Sequence, residues 1–320
     1  MLVQPAEVLC LGETMSLVAP ASPVPLEQAP TFTLSAGGAE SNVAIHLAAL
    51  GHRVRWASRL GDDPLGKRVL GTIAAAGVDT DLVEVYPHAP TAVYFKDPGP
   101  EGTRVHYYRA GSAASTMDED FLPGGELDAP QLLHISGITP ALSEGCDRMV
   151  RHLLTRERGA RISFDVNHRP ALWSAEEAGP VLRELAQLAD IVFVGLDEAA
   201  VLWGVKNADE VRDLLDGPDT VVVKDGAEAA YALGRSRVVV PAPEVEVVEP
   251  VGAGDAFAAG FLSGVLRGED DVRCLRLGHV LAAHSLRSTE DHTTPPDAES
   301  LARWLGCDEQ QWNELRFGGR

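Results

Sequence analysis

Residues 191–224 read IVFVGLDEAAVLWGVKNADEVRDLLDGPDTVVVK, which predicts a buried strand, two short helices and a second buried strand in succession. The runs IVFV and TVVVK show no alternation between apolar and polar positions. Such strands need apolar cover on both faces, as in a parallel sheet with helices above and below it. The stretch therefore predicts a doubly wound α/β fold.

The same alternation of strands and helices extends in both directions from this stretch. Toward the N-terminus we predict strands at 8–12, 54–58, 132–136 and 161–165, and helices at 41–50, 65–76, 144–158 and 175–188. Toward the C-terminus, helices are predicted from Asp255 and from Val272. We expect a single domain over residues 1–320, built on a mostly parallel sheet flanked by helices.

Two segments interrupt this alternation and carry β-forming residues without a following helix. Residues 16–34 are rich in proline, and residues 91–112 predict a hairpin around the turn PGPEG. Inserted strands of this kind predict a small accessory sheet with one face free for a ligand or another subunit. We expect a lid over a cleft, formed by about residues 14–36 and 88–115, with an extension of the main sheet as the alternative.

The composition is acidic, since 27 basic against 47 acidic side chains give a net charge of −20. Nucleic acids and anionic membranes attract clustered Lys and Arg, so we expect neither as a partner. Cys10, Cys146, Cys274 and Cys307 show neither metal-ligand spacing nor a disulfide pattern, which favours a cytoplasmic setting. We also expect no signal peptide, because the N-terminus has an early proline and Glu7 and no basic region before its apolar stretch. We expect no membrane span, because the apolar runs are too short.

The strongest local motif is EPVGAGDAFAAGF at residues 249–261, where an extended segment leads into an alanine-rich helix. Gly252, Ala253 and Gly254 would let a phosphate approach the helix N-terminus, which carries free N–H groups and partial positive charge. Asp255 beside that anion site could take the proton of an attacking hydroxyl, as in phosphoryl transfer. A helix-capping role is the structural alternative. The motif is neither GxGxxG nor GxxxxGK[ST], so it predicts neither a dinucleotide site nor a P-loop.

VGAGDAFAAGF resembles the C-terminal signature of the PfkB, or ribokinase-like, family of carbohydrate kinases. GGAESNVAIHLAALG at residues 37–51, followed by RLGDDPLG at 59–66, resembles the N-terminal signature of that family. The two motifs stand in the family's order, and the resemblance covers nearly the whole chain. It implies a ribokinase-like fold with a small β-sheet lid, and a kinase that uses ATP and Mg²⁺.

The resemblance also implies roles for individual residues. Asp255 would be the general base, and the backbone amides of Gly252, Ala253 and Gly254 would form the anion hole. The family has a K-x-G segment after a strand and an N-x-x-E motif. Both would bind the nucleotide, and the acid of the second motif would be linked to magnesium. The further ATP-binding residues implied are Asn167, Glu198, Lys224, Gly226 and His279, and Glu198 is the implied metal contact through water or phosphate.

Two positions depart from the family pattern. Gly195 stands where Asn or Ser is usual in the N-x-x-E motif, and Glu249 stands where Asp or Asn begins the C-terminal signature. Both leave the metal and phosphate contacts open, although neither changes Asp255. They are also the support for a different class of function, a non-catalytic sugar or nucleotide sensor on the same fold.

Two arginines are candidates for contact with the sugar substrate. YYRAGSA at 107–113 places Arg109 beside two tyrosines on the predicted hairpin, and Arg169 emerges after the strand that ends at Asp165. Two arginines directed into one cleft suit a carboxylate, which a neutral hexose lacks. The structural alternatives are a solvated Arg109 and an Arg169 paired with Asp165.

Together with HISGITPAL and DVNHRPALW, these residues resemble the 2-keto-3-deoxygluconate kinase subgroup of the family. The resemblance implies phosphorylation of that sugar acid at its terminal hydroxyl, giving 2-keto-3-deoxy-6-phosphogluconate. The sugar-binding residues it implies are Gly38, Tyr94, Tyr107, Arg109, Ile138, Arg169 and Asp255. Fructokinase, ribokinase and keto-deoxygalactonate kinase are the alternatives within the family. The free face of the lid predicts a homo-oligomer, and the motif Asp291-His292 resembles the subgroup's ending without an assigned role.

Overall fold

The computed structural model of the chain describes residues 6–100, 102–122, 124–288 and 293–318. The motif Asp291-His292 lies outside the described residues. The strands are β1 (Val8–Leu11), β2 (Met15–Pro20), β3 (Phe32–Gly37), β4 (Val54–Gly61), β5 (Asp79–Tyr86), β6 (Val93–Gly99), β7 (Gly102–Tyr108), β8 (Leu132–Ser136), β9 (Arg161–Asp165), β10 (Ile191–Gly195), β11 (Thr220–Asp225), β12 (Ala229–Leu233), β13 (Arg237–Pro241), β14 (Glu244–Val245) and β15 (Arg316–Phe317). The α-helices are α1 (Ala39–Ala49), α2 (Pro64–Ala75), α3 (Gly124–Asp128), α4 (Glu144–Thr155), α5 (Ala175–Gln187), α6 (Leu196–Trp203), α7 (Ala208–Leu214), α8 (Ala253–Leu266), α9 (Asp271–Leu286), α10 (Ala298–Leu305) and α11 (Glu309–Asn313).

Nine strands of the described ranges form one large sheet, in the order β13-β12-β11-β10-β9-β8-β1-β4-β5. Neighbouring strands from β11 across to β5 run parallel, and β12 and β13 add an antiparallel edge. The predicted α/β fold with a mostly parallel sheet is confirmed.

Apolar side chains cover both faces of this sheet, as the uninterrupted apolar strands require. On one face Phe193 of β10 packs with residues of α1, α8 and α9, including Phe257. On the other face Val194 packs with residues of α4, α5 and α7, including Leu182. No helix in the described part of the chain is long and apolar enough to cross a membrane.

A second, smaller sheet has the order β3-β2-β6-β7, which confirms the predicted accessory sheet. Its inner face is apolar and buried, with Met15, Leu17 and Tyr94 among its residues. Its outer face carries a further set of apolar side chains, several of them exposed: Val18, Phe32, Leu34, Phe95 and Tyr108. This set is called the outer lid face below.

The sequence did not predict β5, β12 and β13 of the large sheet, the short pair β14 and β15, or the helices α3, α10 and α11. The edge strand β5 reads DTDLVEVY and has no fully buried position, because it has a neighbour on one side alone. The opposite edge, β13, begins at Arg237 and ends at Pro241. β5 lacks the continuous apolar run by which buried parallel strands are recognised, and the apolar run of β13 is limited to three valines.

Candidate active site

A cavity of about 580 Å³ is lined by residues of both sheets. The large sheet contributes the carboxyl ends of β9, β10 and β11 and the N-terminus of α8, and the small sheet contributes β2, β6 and β7. This is the edge at which ligands of open α/β sheets bind. The predicted site residues that line the cavity are Gly38, Tyr94, Tyr107, Arg109, Ile138, Asn167, Arg169, Glu198, Lys224, Gly252, Gly254 and Asp255.

The turn before α8 depends on Gly252, whose φ of 85° is left-handed. A residue with a Cβ atom adopts this backbone conformation only at a cost in free energy, so glycine suits the position. The first turn of α8 then presents N–H groups and the positive end of the helix dipole, with Gly254 and Asp255 lining the cavity. An anion such as a phosphoryl group fits there.

Asp255 lies in the first turn of α8 and has only 9% of its surface exposed. Its Oδ2 atom accepts a hydrogen bond of 2.8 Å from Nδ2 of Asn42, which belongs to α1. Burial raises the pKa of Asp255 to about 7, and the negative charge of Asp165 acts in the same direction. The bond from Asn42 and the charges of Arg169 and Lys224 partly offset this rise. A carboxylate with this pKa is well matched to accept a proton near neutral pH.

Lys224 of β11 directs its ammonium group toward Asp165, the last residue of β9. The distance from Nζ to Oδ2 is 3.2 Å. Burial alone would lower the pKa of Lys224, but the carboxylates of Asp165, Glu198 and Asp255 raise it above the usual value. Nζ also lies 3.5 Å from the position that a Cβ atom on Gly254 would occupy. A fixed positive charge therefore lies beside the N-terminus of α8.

Glu198, in the first turn of α6, fixes the loop that follows β9. Its two carboxylate oxygens accept hydrogen bonds from the backbone N–H groups of His168 and Gly195. Asn167 in this loop has a left-handed φ of 44°, which is uncommon outside glycine. Burial and the nearby charge of Asp165 raise the pKa of Glu198 to about 6.

The cavity suits a magnesium ion held largely by water and phosphate. Among the described residues, no group of three or more His, Cys, Asp or Glu side chains is placed to hold a metal ion. Each oxygen of Glu198 that accepts one N–H group still has a lone pair for a water molecule. Magnesium keeps several waters and uses one or two carboxylates together with substrate phosphates. The residues present fit that mode of binding.

Arg109 is buried and forms an ion pair with Glu13. Its Nε and Nη2 atoms lie 2.7 Å and 2.5 Å from Oε2 of Glu13, and the hydroxyl of Ser112 donates to Oε1. The guanidinium carbon is 5.6 Å from the centre of the Tyr107 ring. The alternative of a solvated surface arginine is therefore wrong, since Arg109 is 8% exposed and its charge is balanced by Glu13.

Arg169 follows β9 and lines the same cavity. Its Nη1 atom donates to the carbonyl oxygen of His168 at 3.2 Å. The alternative of a pair with Asp165 is wrong, because Asp165 is paired with Lys224. Both arginines also line a second cavity of about 340 Å³, so they border one shared space. Two guanidinium groups around one space give it positive charge and N–H donors of the kind that bind a carboxylate.

Gly38, Tyr94 and Tyr107 line the same cavity. A Cβ atom on Gly38 would lie 2.4 Å from the carbonyl oxygen of Glu13, so no larger residue fits without a shift of the backbone. The centroids of the two tyrosine rings are 5.9 Å apart. Tyrosines give a cavity both an apolar surface and hydroxyl groups, which suits a sugar.

Ile138 lies in the loop after β8, which is held by Glu40 of α1. One carboxylate oxygen of Glu40 accepts hydrogen bonds from the backbone N–H and hydroxyl of Ser136, at 3.1 and 2.7 Å, and from the hydroxyl of Thr139 at 3.1 Å. Glu40 has no exposed surface, and burial raises its pKa. Glu40 thus connects α1 to the wall that carries Ile138.

Three predicted residues do not line the cavity. Ala253 lies between two residues that do, and Gly226 occupies the turn after β11 with a left-handed φ of 50°. His279 is buried in α9, where its Nε2 atom bonds to the carbonyl oxygen of Val240 at 3.0 Å and its ring lies 5.3 Å from that of Phe257. This placement gives His279 a packing role, and we leave it out of the nucleotide site proposed below.

Sequence reasoning missed four polar residues that complete the site. Glu13, Glu40 and Asn42 were not predicted, and Asp165 was noticed at the end of its strand without a role. Glu40 and Asn42 offered a signal, since both are polar residues within the helix of the N-terminal motif. Glu13 offered none, because its partner is far away in the sequence.

The comparisons with known proteins agree with this geometry. The family described as pfkB family carbohydrate kinase matches residues 5–298. The 2-dehydro-3-deoxygluconokinase of Bacillus subtilis (strain 168) is 36% identical over 311 residues, which are 94% of this chain and 96% of the relative. The 2-dehydro-3-deoxygalactonokinase of Haloferax volcanii is 33% identical over 309 residues, which are 93% and 97% of the two chains.

Among solved structures, a PfkB protein from Polaromonas sp. JS666 matches with a TM-score of 0.84 at 36% identity. The match covers 93% of this chain and 99% of that one. The family match and the two relatives each span most of the chain, and the match to the solved structure agrees with the fold. The chain therefore belongs to the pfkB family and is a carbohydrate kinase.

Proposed function

We propose that this kinase transfers the γ-phosphoryl group of ATP to the terminal hydroxyl of 2-keto-3-deoxygluconate. The products are 2-keto-3-deoxy-6-phosphogluconate and ADP. The observation that carries the proposal is that Arg109 and Arg169 line the same cavity as Asp255 and the N-terminus of α8. The relatives named for 2-dehydro-3-deoxy sugar acids, in which dehydro denotes the keto group, support the same substrate class.

Asp255 acts as the general base in this proposal. Its carboxylate takes the proton from the sugar hydroxyl while that oxygen forms its bond to phosphorus, and the bond from phosphorus to the ADP oxygen breaks. Asn42 donates a hydrogen bond to one oxygen of this carboxylate. The same bond fixes the orientation of the whole group, and therefore of its second oxygen. Removal of the proton makes the hydroxyl a stronger nucleophile at the moment of transfer.

The backbone N–H groups of Gly252, Ala253 and Gly254 serve as the anion hole for the transferred phosphoryl group. Lys224 adds a positive charge at the same place, because its Nζ atom lies next to Gly254. Groups fixed in this way stabilise charge in the transition state without having to reorganise. A magnesium ion neutralises phosphate charge when bound, and Glu198 would hold it through water.

Arg169 holds the sugar carboxylate, since among the described residues it has no acidic partner. Arg109 is already paired with Glu13, so it contributes directed N–H groups rather than free charge. Tyr94, Tyr107, Gly38 and Ile138 complete the sugar site. A keto-deoxygalactonate kinase would use the same groups, and the Haloferax volcanii relative favours it as the second candidate.

A substrate panel tests this function. We expect 2-keto-3-deoxygluconate or its galacto isomer to give a kcat/KM about 100-fold or more above those of fructose and ribose, measured by coupled ADP detection. The reason is that a site with buried polar groups rejects a substrate that leaves them unpaired. The ratio of kcat/KM for the two sugar acids shows whether the preferred substrate has the gluco or the galacto configuration.

Equal or faster turnover of fructose or ribose would contradict the sugar-acid assignment and leave the kinase assignment intact. The absence of ADP formation with every sugar would favour the sensor alternative. The variant Arg183→Ala, on the exposed face of α5, is the matched control for loss of an arginine and should leave the substrate order unchanged.

We also propose that the molecule self-associates through the outer lid face. This face exposes Phe32, Leu34 and Tyr108, and the Phe95 and Tyr108 rings meet edge to face at 5.6 Å. An apolar sheet face of this kind is stabilised when a second apolar surface covers it.

A further inference from the structure

Asp165, Gly195 and Lys224 lie on the same face of the large sheet as α8. In the register of the parallel strands, Phe193 is opposite Asp165 and Gly195 is opposite Lys224. Phe193 packs on the α8 side of the sheet. Side chains alternate between faces along a strand, so positions 165, 195 and 224 share that side.

Gly195 separates the other two residues and has no side chain. The side chain of Lys224 spans the intervening strand β10 at this place and brings Nζ to within 3.2 and 3.5 Å of the two oxygens of Asp165. Asp165 also lines the cavity, with only 3% of its surface exposed. The pair therefore joins two strands that are not neighbours.

The position of the Lys224 Nζ atom matters because carboxylates other than that of Asp165 also attract it. Glu198 on α6 and Asp255 on α8 both act on Lys224, and Arg169 acts on Asp255. An ammonium that turned to Asp255 would pair with the base and reduce its affinity for a proton. A lysine side chain has four rotatable bonds, so its position has to be fixed by a contact.

We propose that Asp165 is a positioning residue for phosphoryl transfer, which holds the Lys224 ammonium across Gly195 and beside the N-terminus of α8. In this role Asp165 does not touch the sugar. The inference rests on the proposed place of the transferred phosphoryl group and is independent of which sugar is the substrate.

A double-mutant cycle tests the proposal, with the best sugar from the substrate panel at saturation. Asp165→Asn should lower kcat/KM for ATP about 10-fold or more, and Lys224→Met about 100-fold. If Asp165 acts through Lys224, the Asp165→Asn change should cost less than 2-fold in the Lys224→Met background. A role confined to stability would instead lower the melting temperature and leave the kcat/KM of the folded enzyme unchanged.

Additive losses, or an unchanged kcat/KM in Asp165→Asn, would overturn the proposal. Asp225→Asn is the matched control, because this acid follows Lys224 on the same strand and, by the alternation of side chains, points to the opposite face. It should keep a kcat/KM within 2-fold of wild type. Because the cycle uses whichever sugar reacts, a wrong sugar assignment does not affect its result.

If Asp165→Asn fails to fold by circular dichroism, Asp165→Glu gives the same test without loss of charge. The longer side chain moves the carboxylate by about one bond length. A 5-fold or larger loss of kcat/KM for ATP at an unchanged melting temperature supports the positioning role. Wild-type kinetics in Asp165→Glu would overturn it, since a role in charge balance alone tolerates the displacement.

Discussion

Asp255 has two kinds of neighbour with different effects. Burial and Asp165 raise its affinity for a proton, whereas Asn42 fixes the direction of its carboxylate. An aspartate in the first turn of an exposed helix would have only the second feature, as a cap does. The combination supports the proposed role of Asp255 as a base over that of a capping residue.

Asp255→Asn should lower kcat by about 10²- to 10⁴-fold, because the amide cannot take the proton of the hydroxyl. The fold should persist, since the amide oxygen can still accept the bond from Asn42. Coupled ADP detection measures the turnover, and circular dichroism measures the melting temperature. Asp271→Asn, in the first turn of α9, is the control. A kcat near wild type in Asp255→Asn would reject the base assignment.

The candidate site was predictable where its residues belong to short motifs. Asp255 and Gly252 could be placed because small residues before a helix indicate an anion site. Their partners could not, since Asn42 is 213 positions from Asp255 and Glu13 is 96 positions from Arg109. Contacts at such separations depend on how the strands and helices pack, which a local pattern does not show.

At the scale of whole elements, α1 is connected to β8 by a buried acid. Glu40 accepts three hydrogen bonds there from groups that precede or follow the loop carrying Ile138. Burial raises its pKa above the ordinary value of 4.5, although the bonds from Ser136 and Thr139 act against this rise. The folded chain thus favours the protonated form of Glu40.

Glu40→Gln should make stability less dependent on pH. The folded state binds the proton of Glu40 more tightly than the unfolded state, so the contribution of this residue to stability is greatest below about pH 4.5 and is lost as pH rises through the folded pKa. The amide cannot ionise, so the variant should gain on wild type between pH 5.5 and 8.5. Urea midpoints at both values measure this gain. A difference that does not change with pH, as expected for the exposed control Glu299→Gln, would contradict it.

The parallel strands inside the large sheet could be predicted well, whereas β5 and the antiparallel strands β12 and β13 could not. The strands β8, β9 and β10 begin and end at the predicted residues, because each is a continuous apolar run between turns. The hairpin of β6 and β7 was found from its turn. β5 was missed because its alternating acids resemble a solvated segment, and packing against β4 alone makes it a strand.

At the scale of the molecule, the net charge of −20 coexists with a site for anionic substrates. Lys224, Arg109 and Arg169 do line one cavity, although the first two are paired with Asp165 and Glu13. The electrostatic effect of these charges is therefore confined to short distances, which include the cavity in which a ligand would bind. Surface charges more than about 10 Å away are largely screened at physiological salt.

Leu34→Glu should weaken self-association, because a charge on the outer lid face opposes its burial against a second copy. Light scattering should give wild type a mass above that of one 34.1 kDa chain, and the variant a mass nearer to it. Val272→Glu is the matched control, since Val272 and Leu34 are each 39% exposed. A wild type that runs as a single chain at all concentrations would contradict this prediction.

The two edges of the large sheet bear on how such assemblies grow. β5 presents Asp79, Asp81 and Glu84, and β13 carries a proline at its end. Charged side chains and proline deter a strand of another molecule from extending a sheet. If the molecule associates through the small sheet, these two edges favour finite particles over growth of the large sheet along its open strands.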